Sequence, residues 1–192
     1  MSNDSGVVNA VARRLQPVLW LVAAIWAVEV VNLLTGHALV SLGILPRSLS
    51  GLVGIPLAPL LHFGLWHAVS NTVPLVILGA LALAGGSGGK RFWQITAAIA
   101  LLSGALVWLF ARDGYHVGAS SLVFGYFGVI LARAFVERSL SSMAIALAAV
   151  VIYGGLFWGL LPLGGRISFE GHLFGFVAGV VVAGAMRRRA EA

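Results

Sequence analysis

Apolar residues in this chain fall in long unbroken runs, neither alternating as in a strand nor confined to one stripe of a helix. Six runs approach the roughly 20 residues that a helix needs to cross a bilayer. They cover residues 17–34, 67–84, 92–111, 119–135, 143–161 and 167–186. The connections are short except the first, from Thr35 to Trp66, where Pro46, Pro56 and Pro59 stand among apolar positions. That stretch is too broken to span, and it reads as a loop with short helices lying at the membrane surface. No repeat argues for an inverted-repeat transporter.

Composition agrees with the pattern. Of the 192 residues 60% are apolar and 9% charged, with mean hydropathy +1.01. Soluble domains are about 45–50% apolar and about 25% charged. The expectation is an all-α polytopic membrane protein, a six-helix bundle over 17–186, with a cytoplasmic segment 1–16 before it and a cytoplasmic tail 187–192 after it. The absence of cysteine excludes disulfides and thiolate metal sites. The first run is long for a signal-peptide core and lacks a small-residue cleavage site, so no cleavable signal peptide is expected. A net charge of +6 would suggest nucleic acid in a soluble protein. Here the basic residues sit between apolar runs, so topology explains them and no nucleic-acid partner is expected.

With six spans both termini share a side. That side carries Arg13, Arg14, Lys90, Arg91, Arg133, Arg138, Arg187, Arg188 and Arg189, and the other carries Arg47, Arg112 and Arg166. Nine basic residues against three put both termini in the cytoplasm of a cell-membrane protein. Trp20 and Trp93 then mark inner span ends, and Trp66, Trp108 and Trp158 outer ones. Spans 2, 4 and 6 all begin at the outer face. His67, Ser120 and His172 therefore lie within about two turns of the same boundary.

Polar side chains at that depth usually face the protein interior or a water-filled cavity. A serine hydroxyl is a poor nucleophile until a base takes its proton, and an imidazole can do so near neutral pH. Nothing in the sequence sets Asp113 or Glu170 behind His172, which favours a Ser–His dyad over a triad. Donors for an oxyanion are available from the unpaired N–H groups at the start of span 4 and from His67 and Asn71, four residues apart on one face. His62, just outside span 2, is given a structural role, holding the first loop. His172, Gly175 and Gly179 share one face of span 6. Small residues let helices approach closely, so this face should meet span 4, which carries Gly118, Gly125 and Gly128.

These motifs resemble those of rhomboid-family intramembrane serine proteases, in the minimal six-span form. The matching residues are His62, His67 and Asn71 in and before span 2, Gly118 and Ser120 in span 4, and His172, Gly175 and Gly179 in span 6. The resemblance implies Ser120 as nucleophile, His172 as general base, and an oxyanion hole from His67, Asn71 and the Ser120 N–H. It implies hydrolysis of peptide bonds in or beside transmembrane segments of membrane-protein substrates, within the lipid bilayer, with no metal or cofactor. Departures are Ser121, where the family often has Gly, Phe124, where a Tyr commonly stacks on the histidine, and the lack of a Trp-Arg pair in the first loop.

Other readings of the same residues are a rhomboid-like pseudoenzyme that binds transmembrane helices without cutting them, and a small transporter or metal-handling protein. A zinc peptidase is disfavoured by the lack of an HExxH motif and the scarcity of carboxylates. Glu29, a carboxylate near the outer end of span 1, is expected to anchor the first loop. Asp113, Tyr115 and His116 read as loop residues. Ser121 reads as a packing residue.

Overall fold

In the computed structural model, residues 2–84, 88–163 and 168–191 are described. Arg166 and the start of the sixth apolar run fall outside them. Eight α-helices occur among the described residues: α1 (Ser2–Leu34), α2 (Gly54–Leu57), α3 (Leu65–Ala82), α4 (Gly89–Phe110), α5 (Ser120–Glu137), α6 (Leu140–Tyr153), α7 (Leu156–Gly159) and α8 (Phe169–Glu191). An isolated antiparallel bridge between Ile44 and His116 is the only β pairing among these residues.

Five helices contain a stretch long and apolar enough to cross a membrane alone: Leu15–Leu34, Leu65–Ala82, Gly89–Phe110, Ser120–Glu137 and Phe169–Arg187. The run at 143–161 departs from the expected continuous span. Its main helix, α6, has 14 residues, about 21 Å of rise. A turn at Gly154 and Gly155 then separates it from the single turn of α7. Two adjacent glycines favour such a break because glycine is a poor helix former.

Helix α5 is the axis of the bundle. Every residue from Leu122 to Ile130 is buried, and a helix covered on all faces must be surrounded by others. It packs most extensively against α8, and also against α3, α6 and α4. The α5–α8 contact is made by main chain. A Cβ on Gly175 would stand 2.9 Å from Ser121 Cα, and one on Gly179 would stand 2.8 Å from the Gly125 carbonyl carbon. Gly128 meets the Phe176 carbonyl in the same way. In lipid, where apolar burial drives helix pairing little, such close approach supplies van der Waals contact. Elsewhere helices are also joined by hydrogen bonds between polar side chains. Tyr126 and Thr96 share a 2.6 Å hydrogen bond, and Trp26 Nε1 donates to Thr72 Oγ1 at 3.1 Å.

The first loop is more ordered than its prolines suggest. Short 3-10 turns at Ala38–Leu42, Leu49–Val53 and Ala58–Leu60 flank α2. Gly104 lets α2 dock on α4, since a Cβ there would lie 2.8 Å from the Ile55 side chain. Trp108 Nε1 donates to Ser48 O at 2.8 Å, and Arg47 N–H to Trp108 O at 2.9 Å. Arg47 also pairs with Asp113. At the loop's other edge, buried Asn32 donates to His62 O at 2.9 Å and to Glu29 Oε2 at 3.2 Å. The loop is thus fastened to α1 on one side and to the α4–α5 connection on the other.

Candidate functional site

The chain begins α5 on a sharp turn. Gly118 has φ +124°, a conformation that side chains disfavour. A Cβ there would also strike the His67 ring, 2.7 Å from Cε1. Two contacts hold this turn. Gly118 N–H donates to Ala58 O at 2.9 Å, and Ala119 N–H donates to His62 Nε2 at 3.3 Å. His62 is fully buried. Burial, with the nearby His67 second, pushes its pKa down to about 4 against a smaller opposing effect of the Leu60 backbone. It is therefore a neutral acceptor at neutral pH. The sequence reading tied His62 to the first loop; its ring also fastens the residue immediately before Ser120.

Ser120, His67 and His172 line one cavity of about 700 Å³, together with Arg112, His116, Ser168 and neighbouring loop residues. The N-terminal ends of α3, α5 and α8 therefore converge. Ser120 and His172 are not directly hydrogen-bonded among the described residues. Catalytic pairs are often slack in a ligand-free site and tighten on substrate.

Hydrogen bonds set the ring orientations. His172 Nδ1 lies 3.1 Å from Gly159 O. A carbonyl can only accept, so Nδ1 carries the proton and Nε2 keeps the lone pair. Phe124 stacks on the same ring, 4.2 Å between centroids and 11° from parallel. For His67 the pattern is reversed. Phe63 N–H donates to its Nδ1 at 3.4 Å, so the neutral ring carries its proton on Nε2. That N–H lies beside Gly118, where a Cβ would stand 2.9 Å from Nε2.

Not every candidate lines the cavity. Asn71 sits one turn deeper, buried, and its amide donates to His67 O at 2.9 Å. Ser121 has its backbone against Gly175. Glu170 pairs with Arg112, Nε to Oε1 at 3.1 Å, and no carboxylate bonds His172 among the described residues. Two contributors were not foreseen. One is the Gly159 carbonyl, delivered by the broken fifth segment. The other is His116, read as a plain loop residue but buried. Ser168 donates to His116 Nδ1 at 2.6 Å, and His116 Nε2 donates to Arg112 O at 2.9 Å. Ser168 Oγ also accepts from Gly171 N–H at 3.1 Å. The start of α8 is thereby sewn to the loop that leads into Ser120. Among the described residues no group of three or more His, Asp or Glu side chains is disposed to hold a metal ion.

A bundle of apolar helices with serine and histidine at their converging ends defines a polytopic membrane protein with a polar cavity. Comparison with known proteins gives its family: residues 50–189 match the Rhomboid domain. The chain belongs to the rhomboid family, whose members are generally intramembrane serine proteases. It is also 38% identical over 175 residues to an uncharacterized protein of Mycobacterium tuberculosis, covering 86% of this chain and 72% of the relative. A Mycobacterium bovis protein matches to the same extent. One from Mycobacterium leprae is 37% identical over 177 residues, with 86% and 68% covered. All three relatives are described only as uncharacterized.

Proposed function

We propose that this protein is an intramembrane serine endopeptidase working through a Ser120–His172 dyad. The observation that carries the reading is the bond from His172 Nδ1–H to Gly159 O, which leaves Nε2 as the basic nitrogen on the cavity it shares with Ser120. A backbone carbonyl then holds the tautomer that a carboxylate holds in a triad. His172 Nε2 takes the Ser120 proton as Oγ attacks the scissile carbonyl. The negative charge that develops meets His67 Nε2–H and the Ser120 N–H at the start of α5. As the intermediate collapses the imidazolium gives its proton to the leaving amine. Water entering from the cavity then hydrolyses the acyl-enzyme by the same proton path. Asn71 serves this hole through His67, whose carbonyl it binds, and joins the oxyanion directly if its rotamer turns. Substrates are transmembrane segments of other membrane proteins.

The basic bias supports cytoplasmic termini and a cavity opening to the outer face of the cell membrane. A C-terminal reporter found outside the cytoplasm would reverse that orientation. For the chemistry, the decisive experiment is labelling of detergent-solubilised protein with a fluorophosphonate, followed by peptide mapping. The expected adduct is on Ser120 and disappears in His172→Ala. Absence of any adduct, together with no cleavage of single-span reporters, would overturn the assignment.

A further inference from the structure

At the end of the bundle opposite Ser120, a second cavity of about 490 Å³ gathers three arginines from three helices. Arg91 stands in the first turn of α4, Arg133 near the end of α5, and Arg187 near the end of α8. We propose that this cavity binds the phosphate of an anionic glycerophospholipid, with one acyl chain lying in the adjoining groove between α4 and α8.

Charge comes first. Among the described residues Glu137 is the only carboxylate lining the cavity, and Arg133 already holds it, with Nε 2.6 Å from Oε1. Even with Arg187 left out of the count, Arg91 and Arg133 against Glu137 leave a cationic excess among the described residues. Two of the three guanidiniums are positioned in advance: Arg133 Nη1 donates to Ala82 O at 3.1 Å, and Arg187 Nη1 to Val136 O at 3.2 Å. Arg91 has no partner among the described residues. Planar guanidiniums suit phosphate oxygens, which they can bind in pairs. Basic pockets between transmembrane helices are a recurring way to bind lipid headgroups.

Shape selects a lipid over a free phosphate. Beneath the arginines the walls are apolar, with Ile95, Val129 and Met186. A second hollow of about 450 Å³ shares Arg91, Ile95 and Met186 and continues along Ala98, Val182 and Ala185. A cationic mouth leading into a small-residue groove on the lipid-facing surface matches a headgroup joined to a hydrocarbon chain. A free anion has no use for the groove. The proposal is independent of any activity at Ser120.

The test is native mass spectrometry of delipidated full-length protein titrated with phosphatidylglycerol or phosphatidylcholine of the same chains. Wild type should retain phosphatidylglycerol about tenfold better. Arg91→Gln/Arg187→Gln should lose that preference, whereas Lys90→Gln, which removes a neighbouring charge outside the cavity, should keep it. Ala185→Phe, which fills the groove, should weaken the long-chain lipid but not dihexanoyl phosphatidylglycerol. Melting temperatures of all variants establish that each is folded. Equal retention of both lipids by wild type, or an undiminished preference in the double variant, would overturn the proposal. Displacement of the lipid by millimolar inorganic phosphate, with Ala185→Phe unchanged, would identify a free-anion site and overturn the lipid assignment.

Discussion

His172 Nδ1 and Gly159 O are 3.1 Å apart, and the two residues reach each other only because the fifth apolar segment breaks before α7. The ring is clamped from a second side by Phe124. A Cβ on Gly159 would intrude on both, 2.7 Å from Phe124 Cζ and 3.1 Å from His172 Nδ1. We predict that Gly159→Ala lowers kcat for a single-span reporter by about 10²-fold, the usual effect of misplacing a reacting group by about 1 Å. Fluorophosphonate labelling should slow in parallel. Unaltered labelling would mean that the carbonyl does not orient the imidazole.

Ser120 and Ser121 are adjacent hydroxyls with different surroundings. Ser120 opens on the cavity with His67 and His172, while the Ser121 backbone packs on Gly175. Ser120→Ala should abolish cleavage with the melting temperature nearly unchanged. Ser121→Ala should keep most activity. His172→Ala should match Ser120→Ala, and the double variant should lose little more, because such groups act as a unit. Cleavage at matched expression checks all four. An active Ser120→Ala beside a dead Ser121→Ala would move the nucleophile by one residue.

The α8 glycines differ in what a side chain would meet. Gly175 and Gly179 touch α5 backbone, and Gly184 has nothing within 4 Å. Gly175→Leu and Gly179→Leu should each destabilise by at least about 1–3 kcal/mol and impair cleavage. Gly184→Leu should stay within about 0.5 kcal/mol of wild type. Thermal unfolding in detergent distinguishes them, and three equal melting points would show that the helices separate without cost.

Protonation of His62 gives a signed pH dependence. Its pKa is about 4 in the folded protein against an ordinary value of 6.5. Between these values the unfolded chain holds more protons, so stability falls as pH drops from about 6.5 toward 4 and is level above that window. His67, with its ring 4.9 Å away, contributes to the depression when charged. His62→Gln keeps an acceptor for Ala119 N–H but cannot titrate. Melting temperatures at pH 7.5 and 5 should differ less for this variant than for wild type, and identical differences would remove His62 as a cause.

The spans were legible because hydrocarbon thickness fixes how many apolar residues a helix must present. Alternation of direction then places His67, Ser120 and His172 at one end. What hydropathy does not register is a turn inside an apolar run, so Gly154 and Gly155 passed as part of a continuous helix. The carbonyl of Gly159 was invisible for a related reason. A backbone acceptor exists at every residue, and only the fold selects one. His62 was placed in a supporting role, but its bond to Ala119 spans 57 positions and leaves no local pattern. In sequence Arg91 and Arg133 speak to topology alone, and Arg187 to a cytoplasmic stop and a lipid-headgroup contact, since sequence does not reveal that three helix ends close on one cavity.

Main chain resting on main chain at Gly175 and Gly179 leaves no compressible layer between α5 and α8. Bilayers of unequal thickness tilt individual helices to hide hydrophobic mismatch. Two helices touching at points about one turn apart can tilt only as a single plank. Ser120 and His172 ride on that plank, so the spacing of their backbones is a fixed gauge from a thin membrane to a thick one, and only their side chains need move to close the pair. Adaptation to the host lipid falls instead on α1, α4 and the broken α6–α7 segment around it.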